Sequence, residues 1–321
     1  MAFEGLYRKH YKILWLIPAI LFVANVFIAF VYPGIKLGVD FRGGILVSFA
    51  SDKPVPADKL AAAVKAATGV AEVTVVPTES FGTGPRYGGI VEVVYPENIK
   101  LVPESNVQTP QLTAGTGSEL TADQFKQKVL EAIKKVVPDA QNIVIQDVTP
   151  AIGSTFWNKA MNMAIWAFVL MAISVFAFFR KGIPTAIMIG SAIFDLIGML
   201  ALMALFNIPL NLDTITILLM MVGYSIDTDI VLSTHLLKRT KSEEGDEFSR
   251  AARAATTGLH MSGTTLVAML FILAVGYLTR NLAVMRVGAV MIFGVLADIV
   301  ITWFLNAPVM ITWVRKHASA A

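Results

Sequence analysis

The chain has 321 residues, of which 55% are hydrophobic and 15% charged, and its mean hydropathy is +0.66. That is too apolar for a protein surrounded by water and marks a polytopic membrane protein. A formal net charge of only +3 and the absence of cysteine exclude a strongly basic nucleic-acid binder, a disulfide framework and a thiolate metal centre.

Signatures of catalysis are missing too. His10, His235, His260 and His317 lack HExxH spacing, and the chain contains no GxxxxGK[ST] phosphate loop and no GxSxG element. The glycine-rich run at 82–89 has the wrong spacing for a dinucleotide loop and reads as a turn. No enzyme, metal, organic cofactor or nucleic-acid partner is expected.

In chain order, residues 1–12 form a short basic N-terminus with Arg8, Lys9 and Lys12. An apolar run at 13–32 follows. It is long enough to cross a bilayer and ends in Tyr-Pro-Gly instead of a small-residue cleavage site, so it reads as a retained first span. Residues 33–155 are far more polar and are expected to form one folded water-soluble domain. Strand patterns at 38–49, 72–76, 89–95 and 142–148, with helical patterns at 57–68 and 122–137, give the order β-α-β-β-α-β of the split βαβ, ferredoxin-like sandwich. The stretch 103–120, rich in Pro, Ser, Thr and Gly, reads as a mobile loop.

Apolar runs return over 157–313 and divide into five spans at 157–179, 184–206, 212–236, 259–278 and 283–313, leaving 314–321 as a C-terminal tail. The expected fold is an α-helical polytopic protein of six transmembrane helices, with an α+β domain inserted between the first and second. If both termini are cytoplasmic, twelve basic residues of the termini and short loops fall inside, against Arg280 alone outside. That bias places 33–155 outside the cytoplasm. The charged loop 236–254 reads as a surface amphipathic helix.

The fourth span holds what lipid tolerates least. Asp227 and Asp229 sit in a run of Ile, Leu, Met and Val, where an unpartnered carboxyl group costs several kcal/mol. At 100° per residue the two lie about 200° apart and are not expected to share one site. Gly223 and Ser225, either side of Tyr224, are small enough to admit a neighbouring helix. Asp195 and Asp298 lie mid-span in the third and sixth segments, where either proton chemistry or a structural hydrogen bond accounts for them. His260, early in the fifth, is either a relay partner or bonded to a nearby Thr. Asp213 sits where a helix starts. The proton-relay candidates are thus Asp227, Asp229, His260, Asp195 and Asp298.

Two elements carry a resemblance. Asp40, Phe41, Arg42, Gly43 and Gly44 directly follow the first span, and Gly223, Tyr224, Ser225, Ile226 and Asp227 lie in the fourth. Together, at this topology, they resemble the SecF family of the SecD/SecF protein-export complex, within the resistance-nodulation-division superfamily, over essentially the whole chain. The resemblance implies a membrane component that assists late translocation of secreted proteins, is driven by the proton gradient, and works with SecD, the translocation channel, unfolded secretory clients and membrane lipids. Bacterial members carry GYS-x-Asn-Asp-Thr in the fourth helix. Here the family acid's position falls on Thr228 with a carboxylate on either side, a form more similar to archaeal members, and Thr257 stands where bacterial members have an arginine.

The expected mechanism is protonation of a carboxyl group in the fourth helix, which repacks that helix and moves the soluble domain. The competing readings are half of a proton-driven small-molecule or lipid transporter, and a non-transducing chaperone or scaffold for secreted proteins. If Asp227 carries the proton, Asp227→Asn abolishes stimulation of export while the protein still inserts.

Overall fold

The computed structural model describes residues 2–70, 72–79, 86–95, 122–148, 150–238, 245–279 and 281–318. The expected loop at 103–120 and the first half of the glycine-rich run at 82–89 lie outside the described residues. The chain divides into two compact units, one of Met1–Lys36, Ala160–Val275 and Ala283–Ala321, the other of Leu37–Lys159 and Gly276–Leu282.

The second unit contains a helical turn α3 (Val39–Arg42), β1 (Gly44–Ser51), α4 (Ala57–Thr68), β2 (Val73–Glu79), β3 (Tyr87–Val94), α5 (Ala122–Val136) and β4 (Gln141–Val148). The strands form one antiparallel sheet in the order β2-β3-β1-β4, which is the ferredoxin-like arrangement. Period-two alternation sends Ile45, Val47 and Phe49 of β1 and Val91 and Val93 of β3 to one face. There they pack with Leu60 and Val64 of α4 and with Phe125 and Ile133 of α5.

The strand expected at 38–49 is corrected in its first half. Val39–Arg42 is a helical turn, and β1 starts only at Gly44. The reason is local crowding. Gly43 has φ of +79° and closes the turn, while a Cβ on Gly44 would lie 2.3 Å from the Val93 carbonyl oxygen and 2.8 Å from the Val39 side chain. The Tyr95 amide donates to the Gly43 carbonyl at 3.1 Å. Arg42 is paired with Glu72 at 2.8 Å, and Phe41 meets Trp157 edge to face. Asp40 sits half-buried in the same turn.

In the first unit, α1 (Ala2–Leu14) and α2 (Leu16–Phe30) meet at 53°. The span expected at 13–32 corresponds to α2 with the end of α1, and the N-terminal stretch before it is helical as well, so the two form a bent pair. α2 alone, at 15 residues, is about 22 Å long and short of the hydrocarbon thickness. Next come α6 (Pro150–Phe179), α7 (Gly182–Leu205), α8 (Leu212–Ser233), α9 (Glu247–Leu278), α10 (Leu282–Ile301) and α11 (Ala307–Ala318). Among the described residues five helices are long and apolar enough to cross a membrane, and up to six if the bent pair counts as one.

Two expectations at the spans change. α9 begins at Glu247 instead of near 259, because Asp246 caps it by accepting from the Ser249 amide at 3.0 Å, so the charged stretch continues the membrane helix. The long last run is interrupted by a π-helical segment at Thr302–Asn306. Both termini and the start of α9 share one end of the bundle, tied by Arg8 to Asp246 at 2.9 Å and Arg315 to Glu247 at 3.2 Å. At the other end a capping box joins Asn211 and Thr214, and Asp213 pairs with Arg286 at 3.4 Å.

In the second unit the Tyr95 hydroxyl donates to Asp147 at 2.8 Å, and Lys126 meets the other oxygen of Asp147 at 2.7 Å. Burial and that hydrogen bond push Tyr95 above its ordinary range, and the bond to Asp147 does the same for Lys126. Both groups then hold their protons more tightly when folded. Their contribution is complete below about pH 10 and is lost as pH rises further. The thermal midpoint of this unit, followed by protease resistance on heating, is expected to hold up to about pH 10 and fall above it. Tyr95→Phe should flatten that alkaline fall.

A buried carboxyl cluster

Three acids from three helices converge in the bundle. Asp195 of α7 is 2% exposed, Asp229 of α8 1% and Asp298 of α10 0%. None has a described Lys, Arg or His as a partner. Hydroxyls and one amide take the place of cations. Ser225 Oγ donates to Asp195 Oδ2 at 2.5 Å. Thr228 Oγ1 lies 2.9 and 3.1 Å from the two oxygens of Asp298 and 2.8 Å from the Ser225 carbonyl. Thr302 Oγ1 bridges Asp298 Oδ1 at 3.1 Å and Asp229 Oδ1 at 3.3 Å. Asn306 Nδ2 donates to Asp229 Oδ1 at 2.6 Å. Asp195 Oδ1 and Asp229 Oδ2 receive no well-formed hydrogen bond among the described residues, although the Ser191 hydroxyl, one turn before Asp195, faces Asp229.

The π segment explains how one helix supplies three of these groups. Asp298, Thr302 and Asn306 are spaced by four, so in an α-helix they would drift by about 40° each. Widening the turn keeps them on one face. Its cause is Pro308, which has no amide hydrogen. The Ala307 amide donates to the Thr302 carbonyl, five residues back, and in that register the partner of the Trp303 carbonyl would be residue 308, where proline has no amide hydrogen. Tyr7 of α1 fills the gap, its hydroxyl donating to the Trp303 carbonyl at 3.1 Å. Close helix approach completes the enclosure: a Cβ on Gly294 of α10 would lie 2.6 Å from Met221 of α8, and one on Gly258 of α9 would lie 2.2 Å from the Trp303 ring.

The candidates from the sequence separate into two groups. Asp195, Asp229 and Asp298 come together. Asp227 does not join them; it is exposed, on the far side of α8 from Asp229. His260 is exposed as well, its Nδ1 2.6 Å from the Thr256 carbonyl. Gly223 does not serve as a packing contact within this chain, for a Cβ there would meet nothing within 4 Å. It lies on the exposed face with Thr216, Met220 and Asp227, at helical spacing. Tyr224 reaches α9 by donating to Ser262 Oγ at 3.2 Å, and Ser225 binds Asp195 instead of admitting a helix. On α9, Thr256, Thr257, His260 and Thr264 make a second exposed polar row.

Thr302 and Asn306 were not singled out in the sequence, nor was Ser191. Their signal was there as a polar residue every fourth position after Asp298. Thr228 puts its hydroxyl on Asp298 of α10, so the hydroxyl between the two α8 acids is bound to a third carboxyl group.

Fold and site together define a multi-pass membrane protein with a ferredoxin-like unit and a cation-free acidic core. The chain belongs to the protein-export membrane protein SecD/SecF family, whose C-terminal region matches residues 128–316 and whose SecD/SecF GG motif matches residues 28–55. It is similar to the protein-export membrane protein SecF of Pyrococcus furiosus, 33% identical over 307 residues, with 94% of this chain and 88% of the relative covered. The corresponding protein of Methanothermobacter thermautotrophicus is 29% identical, with 94% and 92% covered. In fold it is similar to the crystal structure of SecDF, a translocon-associated membrane protein from a Thermus species, with a TM-score of 0.67 at 16% identity. The match covers 98% of this chain and 39% of that one, so the chain spans about two fifths of its length. The protein is thus a membrane component of protein export.

Removing one donor from a buried carboxyl group leaves it unsatisfied, whereas removing both partners does not. Asn306→Leu is expected to cost about 1–3 kcal/mol of stability, and Asn306→Leu with Asp229→Leu to recover most of it. Thermal unfolding of the four members of this double-mutant cycle in detergent measures the difference.

Proposed function

We propose that the chain works beside SecD in preprotein translocation across the cytoplasmic membrane, coupled to the proton-motive force through Asp195, Asp229 and Asp298, with the proton as coupling ion. On this reading both termini are cytoplasmic, residues 33–155 are extracytoplasmic, and the translocation channel and unfolded secretory proteins are further contacts.

The observation that carries the proton reading is a count of hydrogens. Thr302 has one hydroxyl hydrogen and lies within bonding distance of two carboxyl groups. Thr228 has one and faces both Asp298 and a carbonyl. A proton on a carboxyl group supplies the missing donor in either place. Three neighbouring negative charges with no cation are costly in lipid, and loading or releasing a proton changes which hydroxyl bonds to which acid. Because the acids sit on three helices, that exchange shifts the preferred packing of α7, α8 and α10. Each charge moved through 100 mV supplies about 2.3 kcal/mol, enough to bias such a rearrangement.

The exposed polar rows favour the SecD partnership. Asp227 lies about 15 Å inside the apolar helix Leu212–Leu237, where lipid is a poor neighbour for it. A partner helix with hydrogen-bonding groups suits Asp227, His260 and Thr264 better.

The two roles are separable. Asp229→Asn and Asp298→Asn should keep co-purification with SecD and lower proton-gradient stimulation of export by at least tenfold. Asp227→Asn should first weaken recovery of SecD. Full stimulation in both cluster variants would leave only the scaffold reading.

A further inference from the structure

At the end of the bundle that carries both termini, α11 runs past the elbow between α1 and α2. A cavity of about 280 Å³ opens there, lined by Tyr11, Lys12, Trp15, Pro308, Val309 and Thr312. Its rim is positive. Lys12 is exposed and forms no salt bridge among the described residues, its ammonium 6.0 Å from the centre of the Tyr11 ring. Arg315 lies 5.7 Å from the same ring and donates to the Tyr11 hydroxyl at 3.2 Å. Over its whole length α1 carries Arg8, Lys9 and Lys12 against Glu4 alone.

The apolar side of the cavity continues along α2. Trp15, Ala19, Val23 and Phe27 follow one another at four-residue spacing, and the last three line an apolar groove of about 760 Å³ with Ile20, Ala24 and Ile28. Its walls are open, with Val23 69% and Phe27 53% exposed. From Trp15 to Phe27 is about 18 Å along the helix, close to the depth of one leaflet. A cationic, aromatic mouth at interface depth leading into a groove without hydrogen-bonding groups fits a charged head carrying a hydrocarbon chain. It does not fit an extended peptide, whose backbone would find no partners along α2.

We propose that the α1–α2 elbow binds one anionic membrane lipid, its phosphate on Lys12, its glycerol region against Trp15 and Tyr11, and one chain along Ala19, Val23 and Phe27. The negative head is selected by the unpaired ammonium, and the site does not depend on proton coupling or on SecD. The occupant touches Pro308, the residue that sets the π segment, so it also steadies the helix that supplies Thr302 and Asn306 to the acids.

The test places the full chain in nanodiscs containing brominated phosphatidylglycerol or brominated phosphatidylcholine. Subtracting the fluorescence of Trp15→Phe isolates quenching at Trp15. The anionic lipid is expected to quench Trp15 with an apparent affinity about fivefold above that of the zwitterionic one, the effect of one basic group near a charged surface. Lys12→Gln should abolish that preference, and Lys9→Gln, equally exposed on α1, should keep it; the thermal midpoint of each variant serves as the folding control. Equal quenching by the two lipids, no quenching at Trp15, or the same loss in both lysine variants would overturn the proposal.

Discussion

The bundle is organised by the need to keep three carboxyl groups in a membrane interior without a cation. A charged side chain at that depth is tolerated only with partners, and here the partners are hydroxyls, one amide and other acids. Such groups are short and must come close. This explains why Gly294 lets α10 approach Met221, why Thr228 stands one turn from Ser225, and why Thr302 is shared between Asp229 and Asp298. An arginine in the core would satisfy the same acids at longer reach, but it would also fix their charge. A core of hydroxyls leaves the charge free to change.

The helix that brings Thr302 and Asn306 to the acids is irregular for a covalent reason. Pro308 removes an amide hydrogen, the turn before it widens, and the carbonyl left over at Trp303 is taken by Tyr7. The N-terminal helix is therefore more than an anchor at the bundle's end. It donates to a backbone carbonyl of the π segment, tying the helix that carries Asn306 to a residue near the start of the chain. The same helix carries the exposed basic residues Arg8, Lys9 and Lys12, so its surface and core contacts lie close together along the chain.

Two kinds of polar residue share α8, and their faces separate their roles. Ser225, Thr228 and Asp229 turn inward and are buried, while Gly223 and Asp227 turn outward and are exposed. The inward groups bond to one another, to α7 and to α10 with its π segment, except Asp229 Oδ2, which receives no well-formed hydrogen bond among the described residues. In the other unit the two glycines after the first apolar segment act differently, Gly43 through its positive φ and Gly44 by leaving room where the turn at Val39–Arg42 folds onto β3.

Much of this was legible in the residues. Hydropathy marked the membrane class, and alternation with turn signals marked the split βαβ order, because both depend on local periods of 3.6 and 2. The angle between Asp227 and Asp229 followed from helix geometry alone, and it held: one is buried and the other exposed. The helical turn at Val39–Arg42 was missed because contact with β3 overrides local strand preference. The sequence also could not say which of the two faces of α8 points inward. Only the packing of α7, α8 and α10 set each helix's rotation, and that rotation brought Asp195, Asp229 and Asp298 into one site while turning Asp227 away. The reason is physical: a helix's period fixes angles between its own residues, whereas its orientation to its neighbours is decided by which side chains interlock across the bundle.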